Sequence, residues 1–161
     1  MGKTDFQTLR KQFPLLEDRN YLGTHSLGPL PQGAFLDIQA YIQSLHLGRR
    51  ALPIWLERYE EMFVLIETLL NAPTGSIALA PSATAVQAAI AATIQPNAKR
   101  NRIIVTDLDF PSCRYMWKSQ VHRGFEIVEI GTVDGMQIAA TDVVAQIDDR
   151  VAVVAVSLVS Y

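Results

Sequence analysis

The segment Ser76-Ile77-Ala78-Leu79-Ala80-Pro81-Ser82-Ala83-Thr84-Ala85-Val86-Gln87-Ala88-Ala89-Ile90-Ala91-Ala92-Thr93-Ile94 reads as strand, turn and helix. Its opening run, Ser76 to Ala80, is short and apolar, as suits a buried parallel strand. Pro81 has no N–H to give a ladder and ends it. From Ala85 to Ile94 the chain is Ala-rich, with Val86, Ala89, Ile90 and Thr93 or Ile94 at helical spacing. Pro96-Asn97 stops the helix. Between the two elements, Ser82-Ala83-Thr84 puts two hydroxyls where the helix begins. A helix N-terminus has unpaired N–H groups and the positive end of its dipole, so this turn is a seat for an anion such as phosphate. The plainer alternative is that Ser82 or Thr84 only caps the helix.

Downstream, Lys99-Arg100-Asn101-Arg102 is a solvated connection and Ile103 to Thr106 the next strand. That strand ends at Asp107-Leu108-Asp109-Phe110, and Pro111 starts a helix expected to reach about Val121. Phe125 to Ile130 is a third strand and Thr132 to Gly135 a turn. Thr141 or Asp142 is expected to cap a short helix over Val143, Val144 and Ile147. Val151 to Val159 is almost unbroken apolar sequence, as in a strand buried on both faces. The order β-α-β-α-β-α-β predicts an α/β fold with a doubly wound, mostly parallel sheet. Ligands of such sheets sit at the carboxyl ends of strands, here Ser82 to Thr84 and Asp107 to Cys113. No helix follows the last strand to cover it, so the sheet is expected to be incomplete.

Upstream, residues 1–20 read as a polar arm with a helical patch, Phe6, Leu9 and Phe13 sharing a face. Gly23-Thr24-His25-Ser26-Leu27-Gly28-Pro29-Leu30-Pro31 holds two Gly and two Pro and is an ordered loop. His25 and Ser26 are its functional candidates, the alternative being a self-satisfied turn. Pro31 opens a helix whose buried stripe is expected to be Phe35, Ile38, Ile42 and Leu45, with Gly48 ending it. Arg49-Arg50 and His46 are expected at the surface. A second helix, from about Ile54 to Leu70, turns Leu56, Tyr59, Phe63, Ile66 and Leu70 inward. Its Glu57, Glu60, Glu61 and Glu67 fall mainly on the wet side, and Asn71-Ala72-Pro73 closes it. The expected organisation is an arm, loop and two helices over 1–72, then an α/β portion over 73–161.

Composition bounds the function. The length suits one domain, 49% hydrophobic residues suffice for a core, and 14 basic against 16 acidic residues leave no footprint for nucleic acid. No apolar run approaches the ~18 residues of a membrane span, and residues 1–19 contain no signal-like apolar core. The single cysteine, Cys113, excludes an internal disulfide framework and suits a cytoplasmic setting.

Three stretches together resemble the kynureninases. Tyr21-Leu22-Gly23-Thr24-His25-Ser26-Leu27-Gly28-Pro29-Leu30-Pro31 is similar to their substrate loop, usually written Gly-Asn-Ser-Leu-Gly. Ser82-Ala83-Thr84 falls where class V, fold-type I pyridoxal-phosphate enzymes seat the cofactor phosphate. Phe110-Pro111-Ser112-Cys113-Arg114-Tyr115 resembles the Phe-Pro-Ser-Asp-x-Tyr motif, whose Phe stacks on the pyridine ring. Val156-Ser157-Leu158-Val159-Ser160-Tyr161 is similar to the strand before the family's Tyr-x-Thr-Gly turn.

The resemblance implies pyridoxal phosphate as cofactor, with Ala83, Thr84, Phe110 and Cys113 around it and His25 and Ser26 meeting an amino-acid substrate. It also implies an incomplete fold-type I large domain. The family's asparagine is replaced by His25, and its aspartate by Cys113, which carries no fixed negative charge. Beside a helix start Cys113 is either a reactive thiol or a small buried residue. The family's Schiff-base lysine and ring-pairing aspartate would lie beyond Tyr161, and Lys3, Lys11, Lys99 and Lys118 do not match the lysine. The expectation is the N-terminal half of a split or truncated kynureninase-like hydrolase, inactive alone and completed by a second polypeptide or by homo- or hetero-oligomerisation. Alternatives are half of a class V aminotransferase or desulfurase-like enzyme, and a non-catalytic scaffold subunit.

Overall fold

The computed structural model describes residues 5–159. Lys3 and the Ser160-Tyr161 end of the last predicted segment lie outside the described residues. The chain divides between Ile77 and Ala78 into two units.

The first unit is helical. Helix α1 (Phe6–Arg10) starts at Asp5, whose carboxylate accepts from the Gln7 amide at 3.0 Å. Pro31, with extended backbone, caps α2 (Gln32–Ser44). A 3-10 segment, Leu45–Ala51, bends at Gly48, whose φ of 55° and ψ of −132° suit only glycine. Helix α3 (Leu52–Leu70) ends at Asn71 in the left-handed conformation, φ 50°.

The predicted stripe of α2 is not buried. Phe35, Ile38, Ile42 and Leu45 are between 46% and 54% exposed, and Leu56, Tyr59 and Leu70 of α3 are exposed as well, while Phe63 and Ile66 are half-buried. An apolar stripe disappears only under another layer, and α2 and α3 have too little surface to cover each other. Glu67 reverses its predicted placement. It is buried, and its carboxylate accepts from the Gly75 amide at 2.6 Å, tying the loop after α3 back onto the helix.

The second unit holds α4 (Ala83–Thr93), β1 (Arg102–Thr106), α5 (Pro111–Lys118), β2 (Glu126–Ile130), α6 (Ala140–Val144) and β3 (Val151–Ala155). The strands form one parallel sheet in the order β2-β1-β3. Ile103, Ile104 and Val105 of the central strand are buried on both faces, which is why that strand reads as an unbroken apolar run. Ile103 and Val105 pack with Ala91 of α4, Trp117 of α5 and Phe125, and Ile103 stands opposite Ile127 and Val153 in the neighbouring strands. The expected α/β class is therefore present, with helices packed on a parallel sheet.

Several boundaries differ from expectation. Ser76 to Ala80 enters no ladder and is mostly exposed, because β1 already has a neighbour on each side and the segment joins neither outer edge. Strand β3 stops at Ala155, the residue opposite Val105, and β1 ends one residue later, so residues 157–159 have no neighbour in β1 to pair with. Val154 is 38% exposed, as befits an outer strand. Helix α5 tightens at Ser119–Arg123 into a 3-10 turn that Gly124 closes with φ 95°. Neither Thr141 nor Asp142 caps α6; Ala139 occupies that position, and Asp142 lies in the first turn, favourable to the helix dipole. No helix among the described residues is long and apolar enough to cross a membrane.

Candidate functional site

The carboxyl end of β1 is a rigid platform. Thr106 donates its hydroxyl to Asp109 Oδ2 at 2.7 Å, and Asp109 is buried. Asp107 donates its amide to the Ile130 carbonyl at 3.1 Å. Its Oδ2 accepts from the Thr132 amide at 2.9 Å and from the Thr132 hydroxyl at 3.3 Å, so the ends of β1 and β2 are pinned together. Phe110 follows at the N-cap of α5, with Pro111 in the first helical position and the Phe110 side chain half exposed.

Helix α4 begins on the same side of this unit. Ser82 is its cap: its hydroxyl accepts from the Ala85 amide at 3.1 Å. Thr84, the other candidate, is released from capping. Its hydroxyl lies 2.8 Å from Ser112 Oγ and 3.4 Å from Cys113 Sγ, both in the first turn of α5. The amides of Ala83 and Thr84 precede the first intrahelical bond and have no partner among the described residues. The first turns of two helices thus meet, joined hydroxyl to hydroxyl, which brings two positive dipole ends close together.

Behind this point the contact between α4 and α5 is polar. Gln87 Nε2 donates to Cys113 Sγ at 3.4 Å, and Trp117 Nε1 donates to Gln87 Oε1 at 2.6 Å. Cys113 is buried, the second of the two roles its position allowed. A cleft of about 260 Å³ opens beside these groups, walled by Gln87, Asp109, Cys113, Arg114, Trp117 and residues 153–157. Arg114 does not reach into it as a free cation. Its guanidinium donates to Glu129, which also accepts from Lys118 Nζ at 2.9 Å. The Arg114 hydrogen bond holds the Glu129 carboxyl below its ordinary value and raises that of Arg114.

Sequence reasoning passed over Gln87, Trp117 and Arg114. A signal existed for Gln87: it is the only polar side chain between Thr84 and Thr93 in an Ala-rich helix, three residues after Thr84 and so on the same face. Of the predicted residues, Thr84 and Cys113 are in contact, Ala83 adjoins Thr84, and Phe110 caps the helix that carries Cys113.

His25 and Ser26 belong to the first unit. There the Tyr21 hydroxyl donates to the Leu27 carbonyl at 2.6 Å, and the amides of Ser26 and Leu27 donate to the Gly23 carbonyl at 3.0 and 3.1 Å. The loop is therefore folded on itself, with His25 and Ser26 exposed at its tip.

A family model described as aminotransferase class-V matches residues 53–161, well over half of the chain. A kynureninase of Shouchella clausii is 25% identical over 94% of this chain and 38% of its own length. A kynureninase of Bacillus thuringiensis subsp. konkukian is 28% identical over 98% of this chain and 39% of its own. Among solved structures, a mutant C-DES with glycine covalently linked to the PLP cofactor aligns with a TM-score of 0.78. It is 18% identical, and the alignment covers 94% of this chain and 41% of that one. The chain thus spans about two fifths of the length of the curated relatives it matches.

Proposed function

The chain belongs to the aminotransferase class-V family, and on that premise we propose that it is the N-terminal part of a kynureninase-like enzyme acting on an amino acid. Pyridoxal phosphate is the cofactor that the family, the relatives and the solved neighbour together imply. The residues present fit it. The unpartnered amides of Ala83 and Thr84 and the Thr84 hydroxyl suit a dianionic phosphate. The half-exposed ring of Phe110 suits the face of a flat heteroaromatic. Cys113 stands beside the seat as a small buried neighbour without fixed charge. The observation that carries this reading is the meeting of the first turns of α4 and α5, bridged by Thr84 and Ser112 at 2.8 Å beside the carboxyl end of β1.

When bound, the cofactor supplies the electron sink for deprotonation at Cα. Ala83 and Thr84 anchor its phosphate, Phe110 orients its ring, and His25 and Ser26 contact the substrate. The reaction proposed is hydrolytic Cβ–Cγ cleavage of a kynurenine-type amino acid. The lysine that links the cofactor and the carboxylate that pairs with its ring nitrogen come from outside these residues, on a second polypeptide or on the remainder of a longer chain. Cys113 in place of the motif's aspartate favours a second reading, a class-V enzyme of another reaction type. Substrate profiling of the complete assembly separates the two.

The test is an intact-mass spectrum of the natively purified protein after addition of pyridoxal phosphate and borohydride reduction. The expected result is a reduced adduct on a lysine outside residues 1–161. Absence of cofactor from the assembled material overturns the proposal.

A further inference from the structure

We propose that Gln87 is a positioning residue for the anion seat, acting through Cys113 to aim the Thr84 hydroxyl. The proposal rests on the reading of Ala83 and Thr84 as phosphate ligands and reaches one layer further into the helix pair. Donor and acceptor chemistry gives the chain of bonds its direction. The Trp117 indole N–H only donates, so Gln87 Oε1, 2.6 Å away, must accept. That fixes which way the amide faces. Nε2 then points to Cys113 and donates to Sγ at 3.4 Å. A sulfur that accepts on that side has its own hydrogen available for Thr84 Oγ1, also 3.4 Å away, where either atom can donate; donation by the thiol completes the chain. With the thiol donating to it, Thr84 directs its O–H toward Ser112 Oγ at 2.8 Å or toward an anion at the open end of α4.

The links alternate between helices. Thr84 and Gln87 sit on α4, and Ser112, Cys113 and Trp117 on α5. Cys113 and Trp117 are buried, so water does not compete for the inner bonds, and a polar chain of this kind orders its members cooperatively. Gln87 holds both ends of its amide in this chain, and neither bond closes a helix or a strand. Its consequence is the orientation of Thr84.

The test titrates pyridoxal phosphate and, separately, pyridoxal into the intact protein, following cofactor absorbance, for the wild type and for Gln87→Leu, Gln87→Glu and Thr84→Val. Gln87→Glu keeps the acceptor for Trp117 and removes the donor to Cys113. Both Gln87 variants are expected to weaken pyridoxal phosphate binding about three- to tenfold, the effect of losing one oriented hydrogen bond, with pyridoxal binding unchanged. Wild-type affinity in both Gln87 variants alongside weakened Thr84→Val overturns the positioning role and leaves the seat standing. Wild-type affinity in Thr84→Val overturns the seat and the proposal with it. Equal losses for pyridoxal and pyridoxal phosphate reduce Gln87 to general support of the fold and overturn the proposal too. Where Gln87→Leu does not fold, Gln87→Glu, with its Trp117 bond intact, decides the matter when its affinity loss is compared at low and high salt, since repulsion of the phosphate by the new carboxylate is screened and a lost hydroxyl orientation is not.

Discussion

The two ends of α4 are built in opposite ways. At the carboxyl end, Arg123 closes the helix: its guanidinium donates to the Ala91 carbonyl at 2.7 Å, the Ile94 carbonyl at 2.8 Å and Gln120 Oε1 at 2.9 Å. It also lies 5.9 Å from the centre of the Phe125 ring. Carbonyls that the end of the helix leaves without an intrahelical partner are thus met from within the fold at Ala91 and Ile94, and the positive charge sits at the negative end of the dipole. At the amino end a single cap, Ser82, takes one amide, and those of Ala83 and Thr84 stay open. One end is finished by the fold, and the other keeps two open amides that the proposed function gives to the cofactor phosphate. Unmet hydrogen-bonding capacity at one terminus of an otherwise completed helix is a sharper mark of a site than sequence motif alone.

Removing Arg123 should break the closed end and give the largest effect. Arg123→Met keeps the aliphatic packing over Phe125 but strips several carbonyls and Gln120 of a charged donor, at a cost of about 2–3 kcal/mol. Urea denaturation is expected to show a lower midpoint at unchanged slope. Pyridoxal phosphate affinity per folded molecule should stay as in the wild type, and a parallel loss of affinity would show that the two ends are coupled. Thr84→Val tests the open end. Its volume is conserved, stability should move by less than about 1 kcal/mol, and the cofactor's affinity should fall about tenfold through loss of a donor to a charged acceptor.

Ser82→Ala sharpens the contrast. Loss of the cap should cost about 1 kcal/mol of stability. The substitution also frees the Ala85 amide, so phosphate affinity should hold or rise slightly. Thermal melts and the same cofactor titration separate the two effects. A drop in affinity as large as that of Thr84→Val would mean that Ser82 is itself a ligand.

How much of this was legible from the residues depends on the range of the forces involved. The central strand was plain, because Ile103, Ile104 and Val105 are buried on both faces and leave an uninterrupted apolar run. The start of α4 was legible through local capping chemistry, although only the structure separates Ser82 as cap from Thr84 as the bridge to Ser112. The loop around His25 and Ser26 was legible from its glycines and prolines. Pairing was not. Ser76 to Ala80 has a strand's composition and no partner edge, and the chain after Val156 outruns the neighbour it would need. Glu67 and Gln87 were hidden for a related reason: a polar residue on a helix is normally solvated, and only the tertiary donor or acceptor that meets it tells otherwise.

A second arginine carries the comparison down to its smallest prediction. Arg114 lies in the opening turns of α5, beside the open end of α4, and there it is paired with a carboxylate and not with helix carbonyls. Glu129, accepting from Arg114 and Lys118, has its pKa held below the ordinary 4.5, with the Arg114 hydrogen bond as the main cause. A carboxyl depressed in the folded state adds stability above its unfolded pKa and loses it as pH falls through the folded value. The pair is partly solvated, side chains 30% and 28% exposed, so about 0.5 kcal/mol is the expected size. Chemical denaturation from pH 6 down to about pH 3 should therefore find the wild type losing stability faster than Glu129→Gln, the two curves meeting at the acid end where both states are protonated. Salt should shrink the gap at neutral pH, since these charges are only partly shielded from solvent. Arg123, whose partners are neutral carbonyls and an amide, should show no such pH dependence in the Arg123→Met difference. Parallel pH profiles for the two substitutions would mean that the arginine of the open end is held as the closed end's is, and the distinction between the ends would lose its electrostatic half.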